Sequence, residues 1–489
     1  MPSLMMFVLF ALLVLDMSNV LAQEANRLHR QTPSFDEVIG SRTKKHMLEV
    51  DTIPPDFPTF QIRVHDNPAP GKIFMSPLRG TPRYTYLTIL DENITPLFYL
   101  RRPQSLSDFK LHANGLMTFF DGRAQCIYLM NSAYAIIDSF RAASPYVIDG
   151  HDFQMLTNGH VLMLLTDTRT VDMSVIVPGA NPAARVIGLV IHELDENKQV
   201  VFSWSSWDHF AITDATHENL TAATIDYVHA NAVEADTDGN ILLSSRHMDE
   251  ITKINRTSGE IMWRLGGINN QFTFINDSIR FSYQHDIRRL PNGNITLFDN
   301  GNFHSPRFSR AVEYRLNERQ RTAELVWEYR NTPSIYAFAT GNVQRLPNGN
   351  TLISWGTTNT ITEVRPDGTK ALELQLSSLF TVYRTFRFPW ATTEVDVTTQ
   401  QPTPPALLPA YPNPFNSSTQ IRYQIPEVDR VTLKVFDLLG REVATLVDEV
   451  QVAGSKTVRF DATGLATGVY FYRLQTADFA ATRRFILIR

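Results

Sequence analysis

Three histidines and one arginine carry most of the chemistry this sequence can offer: His285, His151, His229 and Arg246. They lie far apart in the chain but recur at related places in a repeating unit. The unit is clearest in His151-Asp-Phe-Gln-Met-Leu-Thr-Asn-Gly, His285-Asp-Ile-Arg-Arg-Leu-Pro-Asn-Gly and Gly341-Asn-Val-Gln-Arg-Leu-Pro-Asn-Gly, each followed by an apolar run. His151 and His285 begin their runs at the same offset from the Asn-Gly pair. Before Asp238-Gly239 the equivalent position is either His229 or Asn231, and Arg246 ends the run that follows. Asn300 ends the run after Asn292-Gly293 in the same way. Imidazole and guanidinium, with no carboxylate at the equivalent positions, suit a tetrahedral oxyanion. Arginine offers sulfate or phosphate a planar fork of donors. Histidine can bind, donate a proton or attack as a nucleophile near neutral pH. Three histidines could also hold a catalytic zinc, but Arg246 beside them argues against a metal cation, so no metal is expected. Repeats copy structural residues too, which leaves a non-catalytic reading of the cluster open.

The elements that must position these residues are strands. Asn-Gly between two apolar runs is a strong hairpin signal. It occurs at Asn114-Gly115, Asn158-Gly159, Asn292-Gly293 and Asn348-Gly349, with Asp238-Gly239 in the same role. Helical periodicity is nearly absent after residue 50. Most units end in a second hairpin with a late aromatic strand, so each holds four strands in roughly 40–55 residues, the pattern of a β-propeller blade. Six blades are expected, at 60–103, 105–147, 148–208, 225–268, 282–331 and 338–388, with 383–388 closing the ring. The innermost strands run along a central channel, so equivalent positions should meet at one mouth. Asp152 and Asp286 follow their histidines and should point the other way in a strand; His247 should likewise face away from Arg246. The remaining histidines, His217 among them, are expected on the surface or in loops. An insertion at 171–184 and a polar loop at 208–224 should shape the rim, where specificity usually lives.

At 489 residues the chain suits two or three domains. A net charge of −5 gives no sign of a nucleic-acid surface. Residues 1–22 read as a secretory signal, with an unbroken apolar run at 4–15 and a cleavage site after Ala22. That run is shorter than the roughly 20 residues a membrane span needs. Cys126 is the single cysteine, so neither an intramolecular disulfide nor a cysteine zinc site is possible, and it is expected to be a buried small hydrophobe. The lead-in is 23–57, the propeller 58–397, and a Pro-rich linker 398–409. Residues 410–489 alternate as short strands and read as a small β-sandwich. The fold class is therefore all-β, a six-bladed β-propeller followed by a small C-terminal β-sandwich.

Two stretches resemble known families. Tyr411-Pro-Asn-Pro-Phe-Asn, Val435-Phe-Asp-Leu-Leu-Gly-Arg-Glu-Val, Gly468-Val-Tyr-Phe-Tyr-Arg-Leu and Arg483-Arg-Phe-Ile-Leu-Ile-Arg resemble the type A C-terminal sorting domain of the type IX secretion system. That resemblance implies the type IX machinery as a partner and a secreted or cell-surface address in a Gram-negative-type bacterium. An ordinary carbohydrate-binding or adhesion sandwich is the alternative.

The segment 148–356 resembles the bacterial arylsulfate sulfotransferases, a six-bladed propeller family. The matching pieces are His151-Asp, His229-Ala-Asn231, Ser245-Arg246, Ser282-Tyr-Gln-His285-Asp, Phe298-Asp-Asn-Gly301 and Gly341-Asn-Val-Gln-Arg-Leu-Pro-Asn-Gly-Asn350. The resemblance implies transfer of a sulfuryl group from a phenolic sulfate to another phenol, without nucleotide donor, metal or cofactor, through a sulfated histidine. His285 would be the nucleophile, with His151, His229, Asn231 and Arg246 holding the sulfate. A protonated histidine, Tyr227 or Tyr283 would protonate the leaving phenolate. Two departures leave the substrates open. This chain cannot form the disulfide that characterised members carry near the site, and 23–57 is too short for their N-terminal dimerisation domain. Two other functions compete. Asn255-Arg-Thr-Ser-Gly-Glu-Ile-Met-Trp263 resembles the tryptophan-docking motif of quinone-dependent propellers, but the other copies are loose, which suits a shared structural staple. A non-enzymatic binding ring, an adhesin or scaffold, is the other, since fold alone does not set function.

Overall fold

The computed structural model describes residues 53–390 and 406–488, apart from 82, 104, 426–428, 452–453 and 477–478. The signal segment, most of the lead-in and most of the linker lie outside these residues. The chain divides into two compact units, one spanning His46–Val397 and one holding Thr398–Arg489.

In the larger unit each expected turn, the four Asn-Gly pairs and Asp238-Gly239, joins two antiparallel strands. The glycines at 115, 159, 239, 293 and 349 all have φ between 79° and 88°, a conformation that glycine adopts without the Cβ clash other residues suffer. Six sheets follow in chain order. From the inside outward the second is Leu106–Leu111, Met117–Asp121, Cys126–Met130 and Ile136–Phe140. The third is Val147–Met155, Val161–Val171, Ala184–Leu194 and Val200–Ser205. The fourth is Ala230–Ala235, Ile241–Ser245, Glu250–Ile254 and Ile261–Gly266, and the fifth His285–Arg289, Ile295–Asp299, Arg310–Asn317 and Thr322–Tyr329.

The first and sixth sheets correct the expected blade limits. Phe60–His65 pairs with Lys370–Leu376 at the outer edge of the sixth sheet, whose inner strands are Asn342–Arg345, Thr351–Ser354 and Thr360–Val364. Phe380–Phe388 becomes the innermost strand of the first sheet, beside Lys72–Arg79, Tyr84–Leu90 and Pro96–Arg102. Each end of the ring thus borrows a strand from the other end of the chain. Backbone ladders then hold a join that side-chain packing alone would leave with two open edges.

Each neighbouring pair of sheets encloses its own apolar cluster. Leu87 and Ile89 meet Phe109 and Met117, Ile127 meets Phe153 and Met163, and Leu164 and Ile191 meet Val233 and Leu243. Leu242 and Trp263 meet Ile287 and Leu297, Phe298 meets Val343 and Trp355, and Leu352 and Leu374 meet Ile73 and Tyr86. The contacts run round a closed cycle, the arrangement of a β-propeller. Arg256–Glu193, Arg289–Asp236, Arg345–Glu313 and Arg387–Glu363 pair across successive sheets. Trp204 donates to the Gly259 carbonyl and Trp263 to Glu318, so these tryptophans do act as staples between sheets.

The axis is filled by charge. Lys110 bridges Asp108 and Asp152 at 2.7 and 2.6 Å. Arg288 reaches Asp152 and Asp286, both at 2.9 Å, and Arg384 reaches Asp108 at 3.0 Å and Asp152 at 3.2 Å. These side chains come from inner strands of four different sheets and meet only because all face the channel. Asp152 and Asp286 turn inward there through β-bulges. The inner strands shift register between Ile148 and Phe153 and between His285 and Arg288, and a bulge re-aims side chains that strict alternation would send elsewhere.

The smaller unit is a sandwich of Ala406–Leu407, Ser418–Ile425 and Gly454–Asp461 against Glu442–Gln451, Asp429–Phe436, Gly468–Gln475 and Ala480–Leu487. Its core includes Ile421, Val431, Leu433, Tyr472 and Phe485. The strand Glu442–Gln451 has no clear sequence signal. It is an edge strand with Val447 alone fully buried, and two register shifts break its alternation. Among the described residues no helix is long and apolar enough to cross a membrane.

Candidate functional site

His285 opens the inner strand of the fifth sheet, at the end of the channel away from the Asn-Gly turns, and is only 1% exposed. Its Nδ1 lies 2.7 Å from Asn300 Oδ1 and 3.1 Å from the Tyr283 carbonyl. Asn300 Nδ2 donates to the carbonyls of Ala337 at 2.8 Å and Thr340 at 3.0 Å. That orients the amide and leaves Oδ1 as the acceptor facing the ring. Nδ1 therefore carries the hydrogen and Nε2 the lone pair, and Nε2 accepts the Thr340 backbone N–H at 3.1 Å. Burial, then the charge of Arg246, holds the imidazole well below its ordinary pKa, so it stays neutral at pH 7.

Arg246 and His247 share a single 3-10 turn, Arg246–Met248. This corrects the expectation that His247 faces away: the strand ends at Ser245, so the two side chains no longer alternate. His247 Nδ1 donates to the Asp226 carbonyl at 2.5 Å, and its Nε2 receives Arg246 Nη1 at 2.6 Å. Burial and then the neighbouring His229 push His247 well below its ordinary pKa, consistent with this neutral, accepting form. The guanidinium lies over the Tyr283 ring, 4.0 Å from its centre, and Nη2 donates to the Phe338 carbonyl at 3.3 Å. Its buried Nε has no hydrogen-bond partner among the described residues.

His151 sits inside Val147–Met155 rather than at its start, because that strand begins before the bulge. Its ring is 4.9 Å from His229, which is 4.5 Å from His247. Carboxylates do reach these histidines from behind. Asp149 bonds His151 Nδ1, and Asp226 Oδ2 lies 2.7 Å from His229 Nδ1. Each pairing leaves Nε2 as the atom to meet a ligand. Burial opposes the charged form of His151, but the charge and hydrogen bond of Asp149 outweigh it and raise its pKa. Asn231 has a different task. Its Nδ2 donates to the Gln284 carbonyl at 2.6 Å, which pins the backbone just before His285. The structure thus brings His285, His151, His229 and Arg246 to one opening, with Asn231 beneath it.

Residues not singled out individually by the sequence complete the rim, one of them from the loop expected to shape it. The loop after Ile212–Asp214 delivers His217, whose Nε2 is 2.9 Å from Asp249 and whose ring stacks on Phe303 at 3.4 Å. Phe303 is 49% exposed and Phe338 38%, so two aromatic faces stay open beside the guanidinium. Tyr227 is corrected. It is buried against Trp207, bonds Ser206 Oγ at 2.8 Å, and is pushed up to about 12 by burial, which removes it as a proton donor. Cys126 is buried, as its strand position suggested.

Residues 108–377, more than half of the chain, match the arylsulfotransferase family. The chain belongs to that family. Residues 409–488 match the secretion system C-terminal sorting domain. An arylsulfate sulfotransferase of Escherichia coli is 26% identical over 166 residues, and the match covers 27% of each chain; the chain therefore spans about a quarter of that relative's length. Among solved structures, a protein of unknown function from Bacteroides caccae gives a TM-score of 0.42 at 12% identity, over 65% of this chain and 98% of that one. Virginiamycin B lyase from Staphylococcus aureus gives 0.34 at 9% identity, over 74% of this chain and 95% of that one.

This arylsulfotransferase family member also brings Asp226, His229 and His247 together, with donor atoms within 4.8 Å of one another. The set does not suit a metal ion. Asp226 and His229 are already bonded to each other, and the lone pair of His247 is occupied by the Arg246 guanidinium, which would repel a cation.

Proposed function

We propose that the ring, residues 58–397, transfers a sulfuryl group from an aryl sulfate to a phenolic acceptor through a sulfated His285, with no nucleotide donor. The observation that carries this reading is the locked tautomer of His285: a neutral, buried imidazole whose Nε2 carries the lone pair, held at rest by the Thr340 backbone N–H, on the side of Arg246, His151 and His229.

In the first half-reaction Nε2 attacks sulfur, the N–S bond forms and the S–O bond to the aryl group breaks. Nδ1 keeps its hydrogen and donates it to Asn300 Oδ1, which stabilises the imidazolium that develops. As the donor enters, the Thr340 N–H passes from Nε2 to a sulfuryl oxygen, and with Arg246 it stabilises the sulfuryl oxygens, since such transfers depend mainly on positioning and on charge over the equatorial oxygens. His151, backed by Asp149, gives its proton to the leaving phenolate. In the second half-reaction it takes the proton of the incoming phenol, whose oxygen attacks sulfur and returns the lone pair to Nε2. Phe303 and Phe338 offer the aryl rings their open faces, where aromatic stacking adds to burial. The C-terminal unit, 410–489, joined through 398–409, directs export by the type IX machinery after removal of the 1–22 signal.

The test is incubation with 4-nitrophenyl sulfate, with intact mass read before phenol is added and turnover read after. The native protein should release 4-nitrophenol and gain the mass of one sulfuryl group, and His285→Ala should do neither. Equal turnover by His285→Ala would overturn the reading.

A further inference from the structure

We infer that Glu218 is a positioning residue for Arg246, so that the loop at 215–223 is part of the binding machinery; the inference rests on the sulfuryl-transfer reading above. Glu218 Oε1 accepts the Tyr283 hydroxyl and lies 3.5 Å from His247 Nε2. Tyr283 and His247 are the two side chains that hold the guanidinium, one against its face at 4.0 Å and the other on Nη1 at 2.6 Å. A single carboxylate oxygen therefore sits between both supports of Arg246.

The residues just before it fasten to the same turn. Thr216 donates its N–H and its hydroxyl to the His247 carbonyl at 2.9 and 3.0 Å, and His217 pairs with Asp249 at 2.9 Å. Three consecutive loop residues are thus tied to the segment 246–249 or to its support. A free arginine side chain loses rotamer freedom when it is fixed. Tyr283 and His247 incur that cost before substrate arrives, provided their own rings are held: Glu218 holds Tyr283 through its hydroxyl, and the Asp226 carbonyl holds His247 through Nδ1.

The experiment titrates inorganic sulfate into the full chain by calorimetry and measures turnover of 4-nitrophenyl sulfate, with thermal melting as a folding control. Glu218→Ala should weaken sulfate binding about tenfold and raise KM by more than it lowers kcat. Glu218→Gln should recover most of that loss, because its amide oxygen still accepts the Tyr283 hydroxyl. Tyr283→Phe, which removes only the hydroxyl, should move in the same direction as Glu218→Ala. Unchanged sulfate affinity in Glu218→Ala, or a Gln variant as weak as the Ala variant, overturns the inference. A native protein that binds no sulfate and transfers none overturns the sulfuryl-transfer reading, and this inference with it.

Discussion

Asn300 Oδ1 accepts the Nδ1–H of His285 at 2.7 Å, and both side chains are buried. Asn300 is itself immobilised by the carbonyls of Ala337 and Thr340. A residue at the end of one strand thereby chooses which nitrogen of a residue at the start of its neighbour is free to react. Asn300→Ala should lower kcat on the order of 100-fold. That is a smaller loss than tautomer disruption causes in a Ser-His-Asp triad, because the Tyr283 carbonyl still accepts from Nδ1 at 3.1 Å. Steady-state kinetics with a saturating donor decide this. A kcat within threefold of native would show that Asn300 is not what sets the tautomer.

Asp149 should control the alkaline limb of the pH profile. It raises the pKa of His151 above the ordinary value, near 6.5 in the unfolded chain. A raised folded pKa contributes stability below the unfolded value and loses it as pH rises through the folded one. The same proton is the one proposed for the leaving phenolate, so kcat/KM for the donor should fall as pH climbs through the raised pKa. Asp149→Asn should move that limb toward acid. An unmoved limb would assign the proton to another group.

Asp152 should matter for stability rather than for chemistry. Its carboxylate receives Lys110, Arg288 and the Val233 N–H. Burial opposes its ionisation, but Arg288, Lys110 and Arg384 outweigh it and hold its pKa well below the usual range. Such a depressed group stabilises the fold above about pH 3.9 and loses that contribution as pH falls through the lower folded value. Asp152→Ala leaves Lys110, Arg288 and Arg384 to share Asp108 and Asp286, an uncompensated buried positive charge that should cost about 3–5 kcal/mol, read by urea unfolding at neutral pH. A loss under 1 kcal/mol would mean that the axis relaxes or admits water.

Phe303 should act on the aryl group alone. Its exposed face, stacked on its other side by His217, offers a ring about 0.5–1.5 kcal/mol beyond simple burial. Phe303→Ala should therefore raise KM for 4-nitrophenyl sulfate several-fold and leave inorganic sulfate binding unchanged. If both weaken together, Phe303 supports the anion site and not the ring.

Much of the architecture is local in origin and could be read in residue order. Asn158-Gly159 and Asn292-Gly293 announce hairpins because glycine alone tolerates the backbone their turns require. The matched offsets of His151 and His285 show that these residues occupy equivalent strands of a ring. The sandwich strands other than Glu442–Gln451 and the two-residue Ala406–Leu407, which falls in the expected linker, announce themselves by alternation. What residue order could not show depends on bulges and on pairings between distant segments. Period-two alternation fails wherever an inner strand bulges, so the inward turn of Asp152 and Asp286 is visible only in three dimensions. The adjacency of Arg246 and His247 arises because a strand ends one residue before them. The exchange of Phe60–His65 and Phe380–Phe388 between the two ends of the ring, and the reach of Glu218 to Tyr283, join parts of the chain that nothing in their local patterns relates. Backbone propensity acts over a few residues, whereas the site is assembled by packing that brings three sheets, the loop at 215–223 and the segment at 337–340 together.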